Sequence, residues 1–508
     1  MANLIGHPHG SVYENAQVGR DTLPVISKYA ASISNPEQKR LEQLANRLAA
    51  NEPALGLTSV FGPRVKSGLM QGLAMMIGDN REIALADPDR SALFEYRISA
   101  LAAEGDILLL SGDRNIFFER YRDEFLGLGP LDVIVLPVVS GEESVPLARR
   151  CMACPDAIDD VVAKASKSGG LTILPYISTG SIWVLAATIA KRAGVQVRIA
   201  APPPRLSRRV NDKVWFARRV SELLGGHSQP YFRSVYGPAA LAGHVNRLAR
   251  LTDRIVIKVP DSAGSLGNIS LGAVDIRGRT LEDLRAYLLA ILGGIGWRGR
   301  FPLLVEVWDS AVRGSPSVQT WIPELLQGPP VVEGIYEQVV TGSEGEFVGS
   351  VPAVLTRHWE ERVTHEALLL ATLFQHLGYF GRCSFDAIIA GNDDADGALH
   401  WIECNGRWGG VSMPMTLANR IVKNLKDRVF VVLQLTNMAF PGRTMAEAIQ
   451  TIGADLFRTR DSDEGVVLLS PLGLERGTGL NLMAIAKTSE RARVLARRAA
   501  QQLVGQPV

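Results

Sequence analysis

The 508 residues exceed what one hydrophobic core normally organises, so the length alone predicts two to four domains. A formal net charge of +2 gives no reason to expect a nucleic acid or a membrane surface as a partner. Four cysteines are too few for a disulfide framework, and the N-terminal sequence lacks the charged start and apolar core of a secretory signal, so we expect a cytoplasmic protein.

The first half of the chain divides into two segments by pattern. Residues 1–100 show helical spacing of leucine and alanine only at 37–50 and are expected to form a mostly helical N-terminal extension. Residues 101–205 contain short apolar runs that begin near 106, 131, 171 and 195 and are separated by segments of helical length. This alternation predicts an α/β domain with a parallel sheet covered on both faces.

Two proline-containing breaks delimit the rest of the chain. The triple proline at 202–204 ends the α/β domain, because proline interrupts both helices and central strands. Residues 206–435 are expected to form a domain with two lobes, 206–310 and 311–435. Residues 436–508 contain strand patterns and a basic terminal helix, and they predict a small C-terminal α+β segment.

Lysines and small residues in the first lobe are suited to hold a polyphosphate. Lys258 ends an apolar strand and is followed by a loop with Gly264, Ser265 and Gly267, where backbone N–H groups can approach phosphate oxygens. Lys213, at the start of a segment with helical spacing, is a second candidate for phosphate contact. Glycine–serine hairpins and helix-surface lysines are common, and no Walker A motif is present, so a purely structural explanation stays open for each feature.

The strand at 302–309 ends in a pattern suited to a nucleotide base. The exit of a strand offers free backbone N–H and C=O groups that can pair with the edge of adenine. Glu306 and Asp309 can also accept hydrogen bonds from adenine or ribose. The alternative is an edge strand with ordinary surface acids.

The sharpest pattern is a β-hairpin at 380–410. Two strand-like runs flank a polar turn at 392–397, so folding the hairpin brings Asp386 opposite residue 402 or 403. Because strand side chains alternate between faces, Glu403 and Asn405 share one face with Asp386. The opposite face is apolar and is expected to include Phe385 and Ile402.

The polar face of this hairpin predicts a metal site. Two carboxylates and an amide oxygen, from Asp386, Glu403 and Asn405, are hard ligands suited to Mg²⁺. Carboxylates that lie so close repel each other unless a cation lies between them. Arg407 can add positive charge beside a transferring phosphoryl group. A solvated sheet face with ordinary charges is the alternative.

Taken together in their order along the chain, these motifs resemble those of the ATP-grasp superfamily over about 200 residues. The matching pieces are NDK at 211–213, IVIK with its glycine loop at 255–267, VEVW at 305–308, GRCSFD at 381–386 and ECNGR at 403–407. The resemblance implies two α+β subdomains that hold ATP between them, preceded by an α/β domain. It implies phosphate contacts for Lys213 and Lys258, adenine contacts for 306–308, magnesium ligation by Asp386, Glu403 and Asn405, and stabilisation of the transition state by Arg407.

Within the superfamily, the domain order is similar to that of the pheganomycin-type peptide ligases. The resemblance implies ATP and Mg²⁺, with Mn²⁺ as a possible replacement, and an acyl phosphate formed from a small-molecule carboxylate. An amine or a peptide would then accept the acyl group, and a homodimer is left open. Two other interpretations remain: a ligase with a non-amine acceptor, and a nucleotide-binding regulatory protein without turnover.

Overall fold

The computed structural model describes most of the chain. The described residues are 29, 31–85, 91–137, 144–263, 266–309, 311–342, 345–391, 397–422, 425–436, 438–459 and 461–505. None of the helices in these ranges combines the length and the apolar character needed to cross a membrane.

The first sheet is parallel throughout and has the strand order β1-β6-β5-β2-β3-β4. Its strands are β1 (Val65–Ser67), β2 (Ala74–Ile77), β3 (Ile107–Leu110), β4 (Asp132–Val135), β5 (Gly170–Pro175) and β6 (Gln196–Ile199). The helices of this region are α1 (Asn35–Asn51), α2 (Ser91–Arg97), α3 (Ile116–Glu124), α4 (Leu147–Ala153), α5 (Pro155–Ser168) and α6 (Gly180–Ala193). Every residue of β2, β3 and β5 is buried, as expected for a sheet covered on both faces.

The described part of the first hundred residues differs from the predicted helical extension. It contributes two strands, β1 and β2, to the parallel sheet, and β2 lies between β3 and β5. The boundary predicted at residue 100 therefore falls within one hydrogen-bonded sheet. Strands of three and four residues are too short to produce a periodic signal, which is why the helical pattern of α1 dominated the prediction.

The second sheet is antiparallel and has the order β7-β10-β8-β9. Its strands are β7 (Phe232–Val235), β8 (Arg254–Lys258), β9 (Asn268–Gly272) and β10 (Leu303–Val307). The helices before and around it are α7 (Pro204–Val210), α8 (Lys213–Leu224), α9 (Pro238–Leu248), α10 (Ala273–Ile276) and α11 (Leu281–Gly294). A core of Leu241, Val245, Leu284 and Leu288 joins α9 and α11 to this sheet.

The third sheet is antiparallel and includes the predicted hairpin. Its strands are β11 (Val312–Gly314), β12 (Pro316–Ile322), β13 (Val331–Thr341), β14 (Glu346–Pro352), β15 (Gly381–Ala390), β16 (Ala398–Asn405), β17 (Val429–Thr436), β18 (Gly465–Leu468) and β19 (Gly479–Ala486). Its helices are α12 (Arg357–His376), α13 (Ser412–Ile421), α14 (Met445–Ile452), α15 (Leu472–Arg476) and α16 (Ser489–Val504). The C-terminal segment is thus not a separate layer, because β19 pairs with β17 along its whole length.

Packing connects these three sheets around one cavity. On the first sheet's side, the Tyr121 hydroxyl accepts a hydrogen bond of 3.1 Å from the backbone N–H of Leu468 in β18. On the other side, α1 packs its buried Leu41 and Leu48 into a core shared with α8 and α12. Strands of the second and third sheets, together with α2 and the loop after β5 on the first sheet's side, border a common space.

Candidate functional site

The hairpin of β15 and β16 places the predicted acidic residues together. Asp386 lies directly opposite Glu403, and Ser384 lies opposite Asn405, so the predicted pairing is confirmed. The register shifts immediately after this pair, because Ala387 pairs with Trp401 and leaves Ile402 as an extra residue. Residues 392–396 of the predicted turn lie outside the described residues.

This β-bulge corrects one detail of the prediction. Ile402 was expected on the apolar face with Phe385, but it lines the cavity instead, whereas Phe385 is fully buried in the core. An extra residue in one strand breaks the strict alternation of side chains, which the sequence pattern had assumed. The bulge therefore adds an apolar side chain beside Asp386 and Glu403.

Asp386 is a buried carboxyl group held by hydrogen bonds. Ser317 Oγ donates to Asp386 Oδ1 at 2.6 Å, and Asn405 Nδ2 donates to Asp386 Oδ2 at 2.9 Å. Burial, reinforced by the negative charge of Glu403, raises the pKa of Asp386 to about 7. Without a cation at the site, this carboxyl group therefore has a strong tendency to keep its proton.

Glu403 lies in the opposite electrostatic environment. Its Oε2 is 3.2 Å from Lys213 Nζ. Burial alone would raise the pKa of Glu403, but the positive charges of Lys213, Arg407 and Lys258 outweigh it and hold that pKa below its usual value. The two opposed carboxyl groups thus differ in pKa because Arg407 acts on both, whereas the charges of Lys213 and Lys258 lower only the pKa of Glu403.

The NDK motif performs three different structural tasks. Asn211 Oδ1 accepts hydrogen bonds from the backbone N–H of Gly406 at 3.2 Å and from Arg407 Nη1. Asp212 caps α8 by accepting from the N–H groups of residues 214 and 215, both at 2.9 Å. Lys213 occupies the first position of α8, where its charge adds to the positive end of the helix dipole. The motif thereby joins α8 to the segment that follows the hairpin of β15 and β16.

The second lysine is paired within the first lobe. Lys258 Nζ forms an ion pair with Glu306 Oε2, and both side chains are almost entirely buried, with 5% and 3% of their surface exposed. Glu306, predicted as an acceptor for adenine or ribose, therefore already balances the charge of Lys258. Both residues line the cavity, so contact with a nucleotide stays a proposal.

The loop after Lys258 supports Lys213 through Ser262. Lys213 Nζ donates to Ser262 Oγ at 3.0 Å, and Ser262 Oγ donates to the carbonyl of Val259 at 2.9 Å. Gly267 closes this loop because its carbonyl accepts from the N–H of Val259 at 2.8 Å, and an added Cβ there would collide with Ser262 Oγ. Gly264 and Ser265 lie outside the described residues, so their predicted phosphate contacts stay a prediction.

The exit of β10 is more occupied than the sequence suggested. The backbone N–H of Val307 donates to the carbonyl of Tyr231 at 3.0 Å, and that of Trp308 donates to the carbonyl of Arg254 at 3.1 Å. Asp309 Oδ2 is 2.8 Å from His400 Nδ1. The expectation of free N–H groups is therefore wrong at residues 307 and 308, since neighbouring strands already pair with them.

A cavity of about 770 Å³ connects these groups. The predicted site residues in its wall are Lys258, Glu306, Val307, Trp308, Asp309, Asp386, Glu403, Asn405 and Arg407. Lys213 and Gly267 lie behind this wall, and Lys213 reaches it through Glu403. The first sheet's side contributes Arg97 and Tyr176, and β19 contributes Asn481, so residues on the sides of all three sheets border the space.

The donor set fits a hard divalent cation. Burial is the main cause of the raised pKa of Asp386, and the negative charge of Glu403 adds to it; a cation between the carboxylates would relieve that repulsion. In the described part of the chain, no group of three or more His, Cys, Asp or Glu side chains is arranged to hold a metal ion. Two carboxylates and an amide therefore require oxygens from water and nucleotide phosphates to complete the ligand sphere, as is usual for Mg²⁺.

Comparison with known proteins identifies the fold. A family model described as the Pre ATP-grasp domain matches residues 95–190. An N5-carboxyaminoimidazole ribonucleotide synthetase in its ADP complex is 12% identical, with a TM-score of 0.50 and coverage of 84% of this chain and 96% of that chain. The chain has the ATP-grasp fold. Biotin carboxylase from Campylobacter jejuni, in its beta-gamma-ATP complex, is 13% identical with a TM-score of 0.50, covering 85% of this chain and 91% of that chain.

These matches confirm the predicted fold class. The matched family stretch contains β3, β4 and β5 of the parallel sheet, as expected for a pre-ATP-grasp domain before the ATP-grasp fold. No curated protein matches the chain. With identities of 12% and 13%, the structural matches establish the fold and leave the substrates to be argued from the residues of this chain.

Three residues of the site were not predicted from the sequence. Ser262 supports Lys213, Ser317 supports Asp386, and Arg97 lines the cavity from the first sheet's side. The two serines lie on strands or loops where serine is common, so the sequence contains no signal for them. Arg97 lies in the predicted N-terminal extension, where no individual site residue was predicted.

Proposed function

We propose that the protein is an ATP- and magnesium-dependent ligase that activates a carboxylate as an acyl phosphate and transfers it to an amine. The observation that carries this proposal is the convergence of two opposed carboxylates, an amide and three cations around one cavity: Asp386, Glu403, Asn405, Lys213, Lys258 and Arg407. The carboxylates by themselves would be compatible with a solvated sheet surface, and the cationic side chains by themselves could bind any anion. Together they provide a cation site beside a polyphosphate site.

The proposed reaction proceeds in two displacements. A carboxylate oxygen attacks the γ-phosphorus of ATP, the bond to the bridging oxygen breaks, and ADP leaves. The amine then attacks the acyl carbon, inorganic phosphate leaves, and one amine proton is released. Lys213 and Lys258 supply positive charge along the phosphates, and Arg407, held by Asn211, supplies it at the transferred phosphoryl group.

Asp386, Glu403 and Asn405 would hold Mg²⁺, or Mn²⁺ in its place. The ion would neutralise phosphate charge as it develops. The chain itself keeps the three ligands together: Asn405 Nδ2 lies 2.9 Å from Asp386 and 3.4 Å from Glu403, and Ser317 fixes the far side of Asp386. This arrangement reduces the cost of assembling the site when nucleotide arrives.

The substrates are proposed to be an amino-acid-like acid and an amino acid or peptide, in the cytoplasm. The wall of the cavity of about 770 Å³ includes aromatic side chains such as Phe94 and Phe347 beside polar groups, which suits an amino acid or a peptide. In this proposal, residues 206–310 and 311–435 form the two lobes that bind the nucleotide between them. The first sheet and the C-terminal strands β18 and β19 then enclose the substrate end.

An ADP-release screen tests the proposal. The enzyme is incubated with ATP, Mg²⁺ and pairs of amino acids and short peptides, and ADP is measured by a coupled assay. Glu403→Gln is expected to lower the rate on the order of 10³-fold, because it removes one of two metal-bridging charges. Glu361→Gln, an exposed acid on α12, is the matched control and should retain activity.

Two results would contradict the proposal. One is near-normal ADP release by Glu403→Gln. The other is the absence of substrate-dependent ADP release from the wild type with every pair, which would favour a regulatory nucleotide-binding protein. Mass spectrometry of the product separates an amide from an ester or thioester and so tests the nature of the acceptor.

A further inference from the structure

Arg97 is a buried cation in the wall of the cavity. It is the last residue of α2, and only 6% of its surface is exposed. Arg97 Nη1 donates to Gln434 Oε1 at 3.1 Å, and Nη2 donates to the carbonyl of Gly410 at 3.2 Å. Both acceptors are neutral, so the charge of this guanidinium is not balanced by its hydrogen-bond partners.

The charge of Arg97 lacks a carboxylate partner within the described residues. Its Nε is buried and has no hydrogen-bond partner there. Burial lowers the pKa of Arg97 to about 10, so it remains a cation at neutral pH. An unpaired buried charge is costly in a protein, and such groups are normally paired or hydrogen-bonded in full.

Two other buried arginines show the usual solutions. Arg382 Nε also lacks a hydrogen-bond partner among the described residues, but the charge of Arg382 is balanced by an ion pair with Glu333 in the interior. Arg122 donates from Nε to the carbonyl of Ser99 at 3.1 Å, and its Nη groups donate to the carbonyls of Ala102 and Gly129. Neither of these arginines lines the cavity, whereas Arg97 does. The contrast indicates that the missing partner of Arg97 comes from the cavity.

The surroundings of Arg97 suit an amino acid or a peptide end. Asn481 Nδ2 donates to Gln434 Oε1 at 3.2 Å, and Asn481 Oδ1 is buried without a partner, which leaves an acceptor beside the cationic donor. Phe94 and Tyr176 lie in the same wall with ring centroids 4.6 Å apart. A substrate that carries a carboxylate, an N–H group beside it and an apolar side chain would match the cationic donor, the free acceptor and the aromatic wall, in that order.

The chain connects this subsite directly to the reaction centre. Gly410, which accepts from Arg97, follows the proposed metal ligand Asn405 by five residues and Arg407 by three. Five residues span at most about 18 Å even when fully extended. The Arg97 subsite is therefore held near the proposed reaction centre, and Arg97, Asn405 and Arg407 line the same cavity.

We propose that Arg97 binds a non-reacting carboxylate of an amino acid or peptide substrate. This inference rests on the proposed ligase function and specifies how one substrate is recognised. Two sources supply the same chemistry: the C-terminal carboxylate of the amine substrate, and a second carboxylate of the acid substrate. The experiment distinguishes them by amidating one component at a time.

Two variants test the role of Arg97. Arg97→Met removes the charge but retains the length of the side chain, and Arg97→Lys retains the charge. Arg285→Met is the matched control, because Arg285 is an exposed arginine on α11 that does not line the cavity. Since the buried charge of Arg97 is unpaired in the free protein, Arg97→Met is expected to fold with a Tm at or above that of the wild type.

The first measurement is binding, which needs no turnover. Thermal unfolding is followed with adenylyl imidodiphosphate, Mg²⁺ and a panel of L-amino acids and dipeptides, each compared with its C-terminal amide. The wild type and Arg285→Met should be stabilised more by carboxylates than by amides. Arg97→Met should lose this difference while retaining the shift caused by the nucleotide analogue. The proposal is wrong if no carboxylate stabilises the wild type more than its amide, or if Arg97→Met retains the difference.

The second measurement uses any pair that releases ADP. Amidation of the component held by Arg97 should raise its KM in the wild type about 100-fold, and Arg97→Met should raise the same KM about as much, with the KM for ATP unchanged. Arg97→Lys should recover part of the loss. An equal loss for ATP would assign Arg97 to the nucleotide and overturn the inference, while failure of all pairs to release ADP would overturn the ligase function without affecting the binding result.

Discussion

The opposed carboxyl groups make a quantitative prediction about stability and pH. The pKa of Asp386 is about 7 in the folded protein without a cation and 3.8 as its ordinary value. Between these values, the folded protein binds a proton that the unfolded chain does not, so stability falls as pH rises toward 7 and is level above it. From pH 5 to pH 7 the loss amounts to about 2 kcal/mol, because the full slope of 1.36 kcal/mol for each pH unit applies only well below the folded pKa and is halved at pH 7.

Asp386→Asn should remove this loss, because an amide does not ionise. In EDTA, the Tm of the variant relative to the wild type should rise by about 2 °C between pH 5 and pH 8, as measured by differential scanning calorimetry. Asp159→Asn, an exposed acid on α5, is the control and should follow the wild type. Mg²⁺ with a nucleotide analogue should also flatten the wild-type profile, since a cation favours the ionised carboxylate. Parallel profiles for Asp386→Asn and the wild type in EDTA would refute the electrostatic account of this pair.

Two further substitutions test the supports of the site. Asn211→Ala removes the acceptor that holds Arg407, and we expect kcat to fall 10- to 100-fold while fluorescence titration shows little change in nucleotide affinity. Unchanged kcat would show that Arg407 needs no support from α8. Gly267→Ala places a methyl group against Ser262 and should weaken nucleotide binding, whereas Gly243→Ala on α9, where an added Cβ meets nothing within 4 Å, should bind normally. Equal affinities of these two alanine variants would contradict the proposed role of the loop.

The hairpin was predictable from the sequence because its signal is local. Strand side chains alternate with a period of two, and the turn composition fixes where the chain reverses, so the opposition of Asp386 and Glu403 follows from counting residues. The bulge at Ile402 was not predictable, since one inserted residue leaves the composition of both strands unchanged. The same local reasoning identified the apolar strands at 107–110, 132–135, 170–175 and 196–199.

Contacts between distant segments were beyond such reasoning. Lys213 and Glu403 are 190 positions apart, and only the packing of α8 against β16 brings them to 3.2 Å. Likewise, Arg97 reaches Gly410 across the boundary between the first and third sheets. A resemblance to a family could place Lys213 near phosphate, but it could not reveal that Ser262 orients it. The supporting residues were missed because their importance comes from tertiary contacts and not from their type.

The central claim is that the carboxylate substrate is activated by phosphoryl transfer from ATP. The most direct measurement uses an acid labelled with ¹⁸O in its carboxylate, together with ATP, Mg²⁺ and an amine that supports ADP release. Mass spectrometry of the released phosphate should find one ¹⁸O atom for each product molecule, because the phosphate that leaves the acyl phosphate carries one of the carboxylate oxygens. Unlabelled phosphate, or label in AMP in place of phosphate, would contradict the account.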